Sequence, residues 1–133
     1  MKRRLRFLTV EQVLAIHDAM LERFGGSPGG GPRGEAFEGV DAAVQAVKNS
    51  YYETVEELAA AHAIYIVQGH VFLDGNKRTA LSSAAIFLHL NGFETSFPVE
   101  NAERFMLAAA QRQRSLEEIV AWLKKHAKRS KKR

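Results

Sequence analysis

Apolar positions recur along this chain at spacings of three and four, the period of helices that turn one face to a core. Val10, Val13, Leu14, Ile16, Met20, Leu21 and Phe24 make the first such face. Thr9 precedes it as an N-cap with Gln12 at the third helical position, Leu8 can staple onto Val13, and Gly25-Gly26 ends the run. Val40, Ala43, Val44 and Val47 predict a short helix over 37–48. Thr54 and Glu57 repeat the capping pattern and open a segment, from Val55 to Val67, that is apolar over most of its circumference. A helix of that kind lies inside the core. The next helix is predicted from about Asn76 through Leu90, with Asn91-Gly92 as its stop. Residues 93–98 read as extended, 101–111 as a helix, and Ser115 with Glu118 caps a last helix holding Leu116, Ile119, Val120, Trp122 and Leu123. The fold class is therefore all-α, built on a central helix-loop-helix, with at most a minor β-hairpin.

Residues 25–34 interrupt this pattern with six glycines and two prolines. Backbone freedom there is large, and no regular element is expected. The segment reads as a surface connection or as a flap beside a site.

Composition adds less than charge does. At 133 residues, 46% apolar and 26% charged, the chain is one domain with a sizeable core. It has no cysteine, which excludes disulfides and thiolate metal sites. Residues 1–4 resemble the start of a signal peptide, but Glu11, Gln12, His17 and Asp18 leave no apolar stretch behind them, and no run approaches a membrane span. A cytoplasmic protein without membrane contact is expected. The net charge of +4 is unevenly distributed: seven of the nineteen basic residues fall in 124–133, leaving 12 basic against 15 acidic residues in 1–123. The expected division is a domain over 1–123 and a basic C-terminal tail over 124–133. Such a tail is usually a solvated helix end or an extension, and its sharper reading is contact with nucleic acid or an acidic partner.

The chemistry concentrates in Gly69-His70-Val71-Phe72-Leu73-Asp74-Gly75-Asn76-Lys77-Arg78, between the two central helices. The first turn of a helix starting at Asn76 has unpaired N–H groups at the positive end of the dipole. Gly75 allows close backbone approach, and Lys77 and Arg78 add two cations. Cations at that end oppose the dipole, so they serve a ligand better than they serve the fold, and phosphate is the natural guest. Asp74 either caps the helix or holds Mg²⁺ beside phosphate oxygens, and both can be true. His70 has the pKa range of a general base that takes a hydroxyl proton. Phe72, between polar positions, anchors the loop.

Other nucleotide and metal signatures fail on spacing. Asn76 separates Gly75 from Lys77, so there is no P-loop, and Gly29-Gly30-Gly31 follows no strand. His17, His62, His89 and His126 show no metal-ligand pairing and read as core or surface histidines.

Taken together, His70-x-Phe72-x-Asp74-Gly75-Asn76-Lys77-Arg78 resembles the signature of the Fic/Doc family. The match is dense over about residues 54–92 and looser over 5–123. The resemblance implies a Fic-type helical domain that modifies a protein hydroxyl using a nucleoside triphosphate and Mg²⁺. His70 would be the catalytic base, Asp74 the metal ligand, and Gly75, Asn76, Lys77 and Arg78 the phosphate binders. Fic adenylyltransferases read G-N-G-R-x-x-R; here Lys77 replaces the second glycine and Leu81 the second arginine. Without that arginine the triphosphate is expected to bind reversed, with its γ-phosphate at the acceptor. The death-on-curing (Doc) branch has this pattern, which implies a protein kinase toxin acting on elongation factor Tu with ATP, arresting translation and neutralised by an antitoxin in trans. AMP transfer on the same fold is the alternative, and a non-catalytic nucleic-acid-binding module a third reading. Residues 96–101 (Ser-Phe-Pro-Val-Glu-Asn) match the self-inhibitory pattern of some relatives, but Pro98 opposes a helix there and Leu81 removes the glutamate's partner. The match is read as chance.

Overall fold

The computed structural model describes residues 5–26, 33–69, 76–97 and 99–130. Six helices are present among the described residues: α1 (Val10–Phe24), α2 (Arg33–Lys48), α3 (Val55–Gly69), α4 (Asn76–Leu90), α5 (Val99–Ala110) and α6 (Leu116–His126). Two short strands, β1 (Phe93–Thr95) and β2 (Ala127–Arg129), complete the fold. No helix among the described residues is long and apolar enough to cross a membrane.

Three of the helix starts are built as their sequences specify. Thr9 Oγ1 accepts from the Gln12 N–H at 3.1 Å while Gln12 Oε1 accepts from the Thr9 N–H at 2.8 Å. The same reciprocal pair forms between Thr54 and Glu57 and between Ser115 and Glu118. Each box satisfies two backbone donors that would otherwise lack partners, worth about 1 kcal/mol per cap. Backbone donors also hold the Glu57 and Glu118 carboxyls below the usual range.

α3 is the centre of the molecule. It is buried from Leu58 through Ile64 without a break, and again at Ile66 and Val67. α4 packs along it most extensively, with α2, α5 and α6 on its other sides; α1 reaches the assembly mainly through α4. Burying each large apolar side chain of this set contributes about 1.5–3 kcal/mol. At its C-terminal end Gln68 donates to the Ala109 carbonyl at 3.1 Å and accepts from Arg112 at 2.9 Å. That fixes the end of α3 against the end of α5. Asn91 does the equivalent for α4: its side chain bonds the Phe87 carbonyl and both backbone groups of Arg6. Gly92 follows at φ +93°, a conformation that favours glycine and stops the helix.

Two boundaries differ from the sequence expectation. α2 begins at Arg33, inside the glycine-rich stretch. Gly34 therefore lies inside the helix, a cost of about 1 kcal/mol that packing of Val40, Val44 and Val47 offsets. The basic C-terminal segment is also more structured than a solvated tail. Lys124 and Lys125 complete α6, and β2 pairs antiparallel with β1 in the register Phe93↔Arg129, Glu94↔Lys128, Thr95↔Ala127. Opposite charges thus face each other at the central pair, and the Arg129 guanidinium lies 5.3 Å from the Phe93 ring centre. The sheet is small, but it is closed by a segment more than thirty residues away rather than by a local hairpin.

His62 is a core histidine. It is buried in α3 with its ring 4.9 Å from that of Phe87 on α4, and its Nε2 has no hydrogen-bond partner among the described residues. Burial, reinforced by the Lys48 charge, pushes its pKa down from 6.5 to about 4. The unfolded chain takes up this proton below pH 6.5, whereas the folded chain resists it to about pH 4. Stability should therefore fall on acidification through that window, by about 2–3 kcal/mol between pH 7 and pH 4.5. Urea unfolding of the wild type and His62→Leu at both pH values checks this: the variant should lose less by that amount. Equal losses would show that His62 does not carry the acid sensitivity.

Candidate active site

α4 starts at Asn76, where the sequence places it. Asn76 opens the helix, and Lys77 and Arg78 follow in its first turn. His70, Phe72, Asp74 and Gly75 lie outside the described residues, as does most of the glycine-rich stretch. Lys77 and Arg78 both line a cavity of about 580 Å³. One wall is the end of α1, with Phe24, Gly25 and Gly26; the opposite wall is α5, with Glu103, Arg104, Met106 and Leu107. Leu81, one turn beyond Lys77 on α4, forms part of the lining and packs on the core.

Local sequence explains how α1 reaches this place. Gly25 adopts φ +85° and donates to the Leu21 carbonyl at 2.7 Å, so the helix terminates there, with Gly25 and Gly26 against the cavity. The first two residues of the glycine-rich stretch are therefore part of the cavity wall. Phe24 belongs to the apolar face of α1 by spacing, but it does not enter the core. It is 51% exposed, and the Arg78 guanidinium lies 4.4 Å from its ring centre. A cation over an aromatic face at that distance is attracted by about 0.5–1 kcal/mol where both remain accessible to water.

Arg78 has a second partner that sequence reasoning missed. Its Nη2 donates to Glu103 Oε2 at 3.3 Å, both side chains being about half-exposed. α5 starts at Val99, so residues 99–101 of the 96–101 segment are helical, against the expectation, while Pro98 lies outside the described residues. A carboxylate of α5, that of Glu103, thus meets a cation of α4. The only forward signal was the i, i+3 spacing of two glutamates in a helix that follows the site. Nothing in the sequence specifies that this face of α5 lies opposite α4.

The geometry suits an anion. Lys77, Arg78 and Arg104, a helix N-terminus and a partly apolar cavity converge, and the one carboxylate among the described lining residues, Glu103, is held by Arg78. No group of three or more His, Asp or Glu side chains among the described residues could hold a metal ion unaided.

Comparison with known proteins shows the family. A model of the Fic/DOC family matches residues 7–88, and the chain belongs to that family. It is 40% identical over 108 residues to "Protein kinase doc" of Escherichia phage P1, covering 79% of this chain and 83% of the relative. It is also 39% identical over 74 residues to "Toxin Doc" of Mycolicibacterium smegmatis, covering 54% of this chain and 57% of that protein.

If Glu103 occupies Arg78 in competition with an anion, its removal should strengthen anion binding. Glu103→Ala should tighten inorganic tripolyphosphate up to about fivefold, the scale of a half-exposed ion pair, and Arg78→Ala should weaken it. Titration calorimetry measures both. Unchanged affinity in the two variants would mean that Arg78 takes no part in anion binding.

Proposed function

We propose that this protein is a Doc-like toxin that transfers the γ-phosphoryl group of ATP to a protein hydroxyl, with elongation factor Tu as the target the motif implies. Phosphorylation of that factor would arrest translation, and a cognate antitoxin would neutralise the toxin in trans. The observation that carries the reading is the distribution of cations on α4. Lys77 and Arg78 stand together in the first turn, and the next turn presents Leu81 where adenylyltransferases of the family have arginine. Triphosphate charge is then best held at the helix start, which favours the orientation that brings the terminal phosphate to the acceptor. The name of the phage P1 relative supports the same chemistry.

In this reaction His70 takes the proton of the acceptor hydroxyl. The oxygen attacks the γ-phosphorus in line with the bond to the β–γ bridging oxygen; that bond breaks and ADP leaves. Gly75, Asn76, Lys77 and Arg78 hold the phosphate oxygens, so that charge developing in the transition state meets donors already in place. Asp74 would hold Mg²⁺ together with phosphate oxygens, an ion that needs few protein ligands and neutralises the leaving diphosphate. Phe72 anchors the loop that carries these groups. Gly25 and Gly26, the first residues of the glycine-rich stretch, line the cavity, which supports a flap role for that stretch in aligning an acceptor segment.

Expression of the wild type and of His70→Ala in bacteria, followed by intact mass analysis of elongation factor Tu, tests the assignment. The wild type alone should stop growth and add one phosphate-sized mass. His70→Ala should fold normally and lose the activity by at least about a hundredfold, the usual share of a general base. An AMP-sized gain would reverse the nucleotide orientation, and equal activity of the variant would remove His70 as the base.

A further inference from the structure

A second groove lies beside the cavity, on the outer face of α5 and α6. It encloses about 250 Å³ and is lined by Arg104, Phe105, Arg114, Trp122, Lys125 and His126. Its apolar floor is a ring stack: Trp122 is stacked by Phe105 at 4.8 Å and by Phe97 at 5.0 Å, with ring planes within 12° in both cases. His126 is fixed beside the indole at 4.5 Å, with Nδ1 2.9 Å from the Trp122 carbonyl oxygen. Arg114 lies 5.6 Å from the Phe105 ring centre and donates to Glu118 at 3.2 Å, so it already holds a carboxylate. Among the described residues, no acidic side chain lines the groove. Lys125 and His126 also border a hollow of about 550 Å³ on their other side, where Lys128 faces Glu94 and the positive surface ends.

We propose that this groove docks an acidic segment of the protein that receives the phosphoryl group, an inference that rests on the function proposed above. Three features favour carboxylates on a polypeptide over a nucleic acid. Both faces of the Trp122 indole are taken up by Phe97 and Phe105, and Arg114 lies over the Phe105 ring, so the largest ring of the groove offers no face on which a base can stack, the usual source of affinity for single strands. The cations are arranged around a short groove rather than along an extended track. Finally, Arg104 lines both this groove and the cavity that holds Lys77 and Arg78. A polypeptide seated against α6 is therefore led directly to the site where its hydroxyl would react. Charges of this kind, at the rim of an interface, set the encounter rate and the choice of partner.

The test uses the full chain, fluorescein-labelled decaglutamate, and decathymidylate as the competing probe, at physiological salt. The wild type should bind decaglutamate more tightly than decathymidylate. Arg114→Gln/Lys125→Glu, which alters only exposed positions, should weaken decaglutamate by about tenfold while melting at the wild-type temperature. Lys125→Gln alone should show a smaller loss in the same direction. In transfer assays the double variant should raise KM for the protein acceptor with kcat essentially unchanged. Tighter binding of decathymidylate, undiminished binding of decaglutamate by the double variant, or an unchanged KM would each overturn the proposal. A wild type that binds decaglutamate through these residues but transfers no phosphate would refute the proposed reaction and leave the acidic-segment groove standing.

Discussion

Burial of α3 on nearly every side is the constraint on which the rest of the structure depends. Its wall of alanines and branched aliphatics lets α4 lie close along its length, and the Phe87–His62 ring contact fixes their relative position. A helix held in this way has a start that cannot wander. The N-terminus of α4 is thus a rigid platform for charge, and Gln68 ties the chain entering the preceding loop to α5 on the other side. Sites built on such elements keep their geometry when solvent and ligands exchange.

Against that rigid background the local charges are placed at some cost. Lys77 and Arg78 oppose the helix dipole, and the fold relieves part of the conflict by giving Arg78 an aromatic face and a carboxylate. Both contacts are half-exposed and weak, so an anion can replace them. This is the behaviour expected where local choices depart from the best folding solution in favour of binding. Leu81, packed on the core one turn later, marks where the positive surface of the helix ends.

The sequence was most readable where structure depends on neighbours in the chain. The three capping boxes, the all-round apolar segment of α3, the start of α4 at Asn76 and its stop at Asn91-Gly92 are local patterns with local causes. The missed features depend on how separate elements meet. Phe24 has the spacing of a core residue and instead faces the cavity, because α1 extends past the end of the core. Glu103 carries no mark of its partner. The strand at Ala127–Arg129 was hidden in a run of lysines and arginines that reads as solvated, and only the register with Phe93–Thr95 gives those residues a place. Within the site, Lys77 and Arg78 were found by the physics of a helix start and meet in one cavity; the roles of His70, Asp74 and Gly75 rest on motif chemistry and on the family to which the chain belongs.

The central claim is that the charge pattern of α4 orients the triphosphate with its terminal phosphorus toward the acceptor. The most direct measurement incubates the purified protein and purified elongation factor Tu with ATP labelled at either the α- or the γ-phosphorus and follows label into the factor. The account predicts incorporation from the γ-label alone. Incorporation from the α-label would contradict it and place the nucleotide the other way round.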